Sequence, residues 1–104
     1  MSNYNEDKRL EYIANYYGFE EQSRQCVEEM AELTKEICKY HRADTFNGRV
    51  SAMQRIRDEI ADVEIMIKQL KLFINPAEVE SIAEYKIERQ LKRIEKEKIK
   101  KALA

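Results

Sequence analysis

Chain-breaking residues are scarce in this sequence. Its 104 residues include only two glycines and one proline, the residues that most often interrupt regular secondary structure. Between them, apolar residues recur at spacings of three and four, the period of an α-helix rather than of a strand. We therefore expect a few long helices with short connections, which is the pattern of a helical bundle.

Four helices are predicted from this periodicity and from its interruptions at Gly18, Asn47-Gly48 and Asn75-Pro76. The expected helices span residues 5–17, 20–42, 50–74 and 76–101, with one loop over residues 43–49. Short connections favour antiparallel neighbours, so the predicted fold is an all-α, antiparallel four-helix bundle. A chain of this length indicates a single domain, residues 1–104.

Helices two and three each carry an apolar stripe expected to form the core. On helix two the stripe comprises Val27, Met30, Leu33, Thr34, Ile37 and Cys38. Helix three also has Ile65 and Leu72 on the side away from its main stripe. Such a second stripe favours association into a homodimer or homotetramer, although two isolated surface aliphatics would also be ordinary.

The charge distribution argues against nucleic acid as a partner. Residues 86–101 carry eight Lys and Arg against three Glu, whereas the whole chain has a net charge of −1. An acidic body with a short basic end would repel phosphate backbones. No apolar run approaches the roughly 18 residues that span a bilayer. Cys26 and Cys38, twelve residues apart on one helix, cannot bridge each other, so we expect a cytoplasmic protein with reduced thiols.

Carboxylates in helix three fall where apolar residues are expected. At 100° per residue, Glu59 lies inside the apolar arc, between Met66 and Leu70, and Asp62 lies at its edge. On helix two, Glu29 borders the apolar stripe, and Glu32 and Glu36 extend that border. A buried carboxylate requires a cationic partner or a metal ion.

Antiparallel packing of helices two and three would bring four carboxylates together: Glu29, Glu32, Glu59 and Asp62. Such a group is strongly frustrated unless it is protonated or bridged by a cation. All-oxygen ligands select hard ions, which indicates Mg²⁺, with Mn²⁺ as a substitute. The single His has no acid at Glu-x-x-His spacing, which disfavours a di-iron site, and it converges poorly with the two Cys, which disfavours zinc.

The segments Glu28–Leu33 (EEMAEL) and Glu59–Leu70 (EIADVEIMIKQL) resemble the two motifs of the MazG-like, all-α nucleoside triphosphate pyrophosphohydrolases, especially small phage and bacterial members. The similarity covers residues 18–94 and leaves residues 95–104 as a basic helix end. It implies that this chain cleaves an NTP or dNTP between the α- and β-phosphorus, giving a monophosphate and pyrophosphate. In such a reaction positioning and charge neutralisation by the metal matter more than a protein nucleophile.

The resemblance also implies roles for individual residues. Glu29, Glu32, Glu59 and Asp62 would bind Mg²⁺, and Glu32 or Glu29 would orient or deprotonate the attacking water. Glu28 matches the first Glu of the pattern and would support the ligands from outside. Lys86, Arg89 and Gln22 would contact the substrate. One or two aromatic residues would line a base pocket, drawn from Tyr16, Tyr17, Phe19, Tyr40, His41 and Phe46.

Two other interpretations stay open. In the first, the chain is a non-enzymatic helical interaction or regulatory module whose acids are salt-bridged to Lys86, Arg89 or Arg93. In the second, it keeps the fold and the metal but only binds nucleotide. The sign of the stability change when an acid of helix three is removed separates the first of these from the enzyme, because only salt-bridged acids stabilise the fold.

Overall fold

The computed structural model describes residues 7–104 and contains four α-helices. These helices are α1 (Lys8–Tyr17), α2 (Phe19–Arg42), α3 (Phe46–Phe73) and α4 (Pro76–Leu103). No strand occurs among residues 7–104, so the predicted all-α class is confirmed. The predicted start of the first helix, at residue 5, lies outside the described residues.

Two of the predicted helix ends are set by residues with positive φ. Gly18, at φ +86°, ends α1, and its N–H donates to the Ala14 carbonyl at 2.8 Å. Asn75, at φ +72°, precedes Pro76, and its side-chain oxygen accepts the N–H of Glu78 at 3.1 Å. Gly and Asn tolerate this left-handed region better than other residues. The predicted capping roles of Gly18 and Asn75 are therefore confirmed.

The connection between α2 and α3 is shorter than predicted, because it covers only residues 43–45. Thr45 caps α3, since its hydroxyl oxygen accepts the N–H of Gly48 at 3.0 Å. This cap satisfies one of the free N–H groups of the first helical turn. Asn47 and Gly48 consequently lie inside the helix, although this dipeptide usually indicates a turn.

Helices α2 and α3 run in opposite directions, as two side-chain contacts show. Gln22, near the start of α2, bonds to Gln69 near the end of α3. Glu36, near the end of α2, bonds to Arg55 in the first half of α3. Helix α1 packs against both of them. The complete antiparallel four-helix bundle and its oligomerisation stay predictions.

The face of α2 that meets α3 differs from the predicted apolar stripe. Val27, Met30 and Ile37 are 40–61 % exposed, whereas the buried residues of α2 are Gln22, Cys26 and Glu36. Together with the half-buried Glu29 and Leu33, these positions are spaced by four and three residues, one helical position away from most of the apolar stripe. Contact with α3 therefore uses a partly polar face of α2, and much of its aliphatic face is exposed.

The apolar core within residues 7–104 is small. Its buried apolar residues are Ala14, Cys26, Ala52, Val63 and Met66. Both cysteines are free, Cys26 buried and Cys38 exposed, and burial raises the pKa of the Cys26 thiol.

The chain divides into two compact units between Phe73 and Ile74. The first unit contains α1, α2 and α3, and the second contains α4, in which no residue is buried. The single domain stays a prediction. Among the described residues, no helix combines the length and the apolar character needed to cross a membrane.

Candidate metal centre

Three of the four predicted carboxylate ligands meet where α2 faces α3. Glu29, Glu59 and Asp62 each contribute an oxygen atom, and these three atoms lie within 4.8 Å of one another. Glu59 and Asp62 are one turn apart on α3, so both side chains reach the same side of that helix. Glu29 and Glu59 are half-buried, and Asp62 is exposed. The group is therefore open to solvent on the Asp62 side.

Glu59 is the most frustrated residue of this group. Its Oε2 atom is buried and has no hydrogen-bond partner among the described residues. Burial raises the pKa of Glu59, and the charges of Asp62, Glu29, Glu32 and Glu36 raise it further. Buried polar atoms nearly always have a partner, so this bare oxygen is a fitting ligand for a cation.

Glu29 is held from within its own helix. The side-chain amide of Gln25, one turn earlier on α2, donates to Glu29 Oε1 at 3.0 Å. Amide and carbonyl groups behind a metal ligand commonly fix its orientation. Gln25 was not singled out in the sequence, although its position four residues before Glu29 is the spacing at which helical side chains touch.

Glu32, the fourth predicted ligand, is exposed and is not a member of the group of three. Its charge nevertheless contributes to the raised pKa of Glu59. The structure thus places it near the group but does not bring its oxygens into it.

Glu36 has a different environment, although it lies one heptad after Glu29 on the same helix. It is buried, and its carboxylate accepts from Arg55 Nε at 2.7 Å and lies 3.6 Å from Lys39 Nζ. The hydrogen bond from Arg55 lowers the pKa of Glu36, against the effect of burial. This acid therefore has its cations supplied by the protein and is not a candidate ligand.

Gln22, predicted to contact substrate, is buried and donates to Gln69 Oε1 at 2.7 Å. Gln69 is only 1 % exposed, and its amide also approaches the Ile65 carbonyl at 3.3 Å. Gln69 was missed in the sequence. The available signal was its position seven residues after Asp62, on the same stripe of α3.

A depression lies along the first half of α2. It has a volume of about 750 Å³ and is lined by Tyr17, Glu21, Gln22, Arg24, Gln25, Val27 and Glu28. Gln25 belongs both to this lining and to the hydrogen bond that holds Glu29. The depression includes three residues that the sequence singled out, namely Tyr17, Gln22 and Glu28.

The remaining predicted substrate contacts, Lys86 and Arg89, lie on α4 in the second compact unit. Both are exposed, and the Arg89 guanidinium carbon lies 5.9 Å from the centre of the Tyr85 ring. Their contact with phosphate stays a prediction.

The chemistry of the group fits a hard divalent cation. Its donors are carboxylate oxygens alone, with neither His nor Cys among the three residues. Such a donor set suits Mg²⁺ or Mn²⁺ rather than zinc. Three carboxylates also leave coordination positions for water and for substrate phosphates, as is usual for Mg²⁺.

No family model matches this chain, and neither does any curated protein or solved structure. The likeness to MazG-like enzymes consequently rests on the two sequence motifs.

Proposed function

We propose that this protein is a Mg²⁺-dependent nucleotide pyrophosphohydrolase that converts an NTP or dNTP to its monophosphate and pyrophosphate. The observation that carries the proposal is the buried, unpartnered Oε2 atom of Glu59, beside oxygens of Glu29 and Asp62. Like charges held this close are relieved by protonation or by a cation between them, and three carboxylate oxygens are suitable ligands for a cation. The two motifs supply the reaction class, because they resemble those of the MazG-like pyrophosphohydrolases.

Each acid has a role in this proposal. Glu29, Glu59 and Asp62 hold the ion, and Gln25 orients Glu29. When bound, Mg²⁺ neutralises the triphosphate charge and makes water more acidic. Glu32, exposed one turn after Glu29, is available to take the proton from the attacking water. Mn²⁺ should replace Mg²⁺, since both accept oxygen ligands.

We assign the nucleoside to the depression along the first half of α2, which shares Gln25 with the hydrogen bond to Glu29. Its volume of about 750 Å³ falls within the range of small-molecule sites, roughly 300–1,000 Å³. Tyr17 is 53 % exposed and forms part of the wall, so its ring can stack against a base. Gln25 belongs to this wall and donates to Glu29, so we expect the base and the phosphates to bind on neighbouring turns of α2.

Self-association as a homodimer or homotetramer is part of the proposal. Its support is the exposed aliphatic face of α2 and α3, where Val27, Ile37, Ile60 and Ile67 are 40–61 % exposed. Aliphatic side chains clustered on a helix surface usually mark a contact with another protein surface. Sedimentation equilibrium of the full chain tests this point, and a monomer at micromolar concentration would contradict it.

Product analysis tests the activity directly. Purified protein is incubated with Mg²⁺ and a panel of NTPs and dNTPs, and pyrophosphate and orthophosphate are measured in parallel. We expect monophosphate and pyrophosphate in equal amounts, with loss of activity in EDTA and in Glu59→Gln. Glu64→Gln is the matched control, because Glu64 is an exposed acid of α3 outside the group. Absence of pyrophosphate with every nucleotide would refute the proposal.

A non-enzymatic interaction module is the second candidate. The same exposed aliphatic face favours it, because a binding surface for another protein would have this character. In that case the acids of α3 serve stability, and replacing Glu59 by Gln should lower the melting temperature. In the enzyme, the metal-free protein should gain stability from the same change.

A further inference from the structure

The polar residues between α2 and α3 follow a seven-residue repeat. On α2 the repeat comprises Gln22, Glu29 and Glu36, and on α3 it comprises Arg55, Asp62 and Gln69. Because the helices run in opposite directions, these residues meet in pairs. Gln22 bonds to Gln69, Glu29 meets Asp62, and Glu36 bonds to Arg55.

The two outer pairs differ from the middle pair because the two residues of each outer pair are hydrogen-bonded to each other. Gln22–Gln69 and Glu36–Arg55 are each joined at 2.7 Å. Gln22 and Glu36 are 6 % exposed, and Gln69 is 1 % exposed. The middle pair consists of two acids without such a bond. Each outer pair lies about 10 Å from it along the helix axis, at 1.5 Å per residue.

Buried polar pairs of this kind restrict how two helices can slide. An aliphatic seam tolerates several registers, whereas a buried amide or carboxylate is satisfied only opposite its own partner. A shift of one turn would leave Gln69 and Glu36 buried without partners. The two outer pairs therefore fix a single register at both ends of the contact between α2 and α3, which we call the seam.

We propose that Gln22, Gln69, Glu36 and Arg55 are positioning residues, which fix the register of α2 against α3 and so hold Glu29 opposite Asp62 and Glu59 for a divalent cation. This inference rests on the proposed function, since it concerns the same carboxylates. The four residues act through the helices and do not touch the cation. Their contribution is preorganisation, because the acids repel one another and would separate if the helices could slide.

The double variant Gln22→Met/Gln69→Met tests this role. Replacing both partners by apolar groups of similar size leaves no buried amide unpaired, so the fold should be retained. The measurement is the affinity of the full chain for Mn²⁺ alone, from the electron paramagnetic resonance signal of free Mn²⁺. We expect about tenfold weaker binding or more, with a melting temperature at or above that of the wild type. Gln54→Met, an exposed position of α3, should bind as the wild type does.

Arg55 provides a second test at the opposite end of the seam. Its side chain is 47 % exposed, so its replacement leaves no buried cavity, and circular dichroism identifies the temperature range in which each variant is folded. Arg55→Gln should weaken Mn²⁺ binding, and Arg55→Lys should restore part of it, since Lys keeps the charge near Glu36. Arg55→Met keeps much of the bulk without the charge, so rescue by Met equal to that by Lys would mean that Arg55 acts through packing and would contradict the role of its pairing with Glu36.

The results of these tests distinguish a failure of the positioning role from a failure of the proposed function. Wild-type affinity in folded Gln22→Met/Gln69→Met and in Arg55→Gln would overturn the positioning role, whether or not nucleotides are hydrolysed. Weaker Mn²⁺ binding in these variants without hydrolysis by the wild type would support the positioning role and refute the pyrophosphohydrolase. Absence of Mn²⁺ binding by the wild type would overturn both.

Discussion

The charge of Glu36 on α2 raises the pKa of Glu59 on α3, yet the pKa values of these two acids shift in opposite directions. The hydrogen bond from Arg55 lowers the pKa of Glu36. Burial and four neighbouring acids raise the pKa of Glu59. One carboxylate thus has its counter-charge within the protein, and the other does not. This contrast identifies Glu36 as a structural acid and Glu59 as a candidate metal ligand.

Replacing Glu59 by Gln should stabilise the metal-free protein. The substitution removes a charge that is partly buried among acids and keeps the shape of the side chain. We expect the melting temperature in EDTA to rise by a few degrees, as measured by circular dichroism. Glu64→Gln, at an exposed position of the same helix, should leave it unchanged. A fall in melting temperature specific to Glu59→Gln would support the interaction module.

The stability cost of Glu59 should depend on pH. Its folded pKa is raised above the ordinary value of 4.5, so the folded state binds the proton more tightly than the unfolded state. The metal-free protein therefore loses stability as pH rises from about 4.5 through the folded pKa. Urea titrations in EDTA should show the advantage of Glu59→Gln at pH 7 shrinking towards pH 4. An advantage that grows on acidification would contradict this sign.

Loss of the Arg55 guanidinium should destabilise the protein, in contrast to loss of the Glu59 charge. Arg55→Met leaves the buried Glu36 carboxylate with only Lys39, at 3.6 Å. A buried acid that loses its hydrogen-bond donor is costly, so we expect the melting temperature to fall by several degrees at pH 7. Arg57→Met, an exposed arginine of the same helix, is the matched control. Equal effects of both substitutions would argue against the pairing.

The Gln25–Glu29 hydrogen bond should affect metal binding more than stability. Gln25 is exposed, so Gln25→Leu should change the melting temperature little. It frees the Glu29 carboxylate, and Mn²⁺ affinity should fall by up to about tenfold. The electron paramagnetic resonance titration described above measures this change, with Gln54→Leu for comparison. Unaltered affinity would mean that Glu29 is oriented without Gln25.

Much of the fold follows from local sequence signals. Gly18, Asn75 and Pro76 set helix ends as predicted, because each satisfies a backbone requirement that is local. The start of α3 was wrong by a few residues, since the cap from Thr45 makes Asn47-Gly48 helical. The turn propensity of Asn47-Gly48 describes the dipeptide alone. It does not take account of the Thr45 hydroxyl, which accepts the N–H of Gly48.

The features of the candidate site that depend on a single helix could be predicted from the sequence. The phase of Glu59 on α3 predicted a buried acid, and the structure has this residue half-buried, with its Oε2 atom buried. Which residues of α2 face it depends on the rotation of that helix, and the aliphatic stripe gave the wrong rotation. Glu29 lies at the border between the predicted apolar stripe and the face that contacts α3, so it joins Glu59 and Asp62 in either rotation. Gln69 and Arg55 acquire their roles only through their pairing with Gln22 and Glu36.

The two outer pairs of the seam also imply an order of folding. Glu36 and Arg55 are 19 residues apart in the chain, and Gln22 and Gln69 are 47 apart. Closing the longer segment costs about 0.8 kcal/mol more in chain entropy. We expect the hairpin to form from its three-residue connection outward, so amide hydrogens near the start of α2 should exchange faster than those near its end. The carboxylates meet midway through this sequence of events, and a nascent hairpin must therefore bring like charges together before its last polar pair can close.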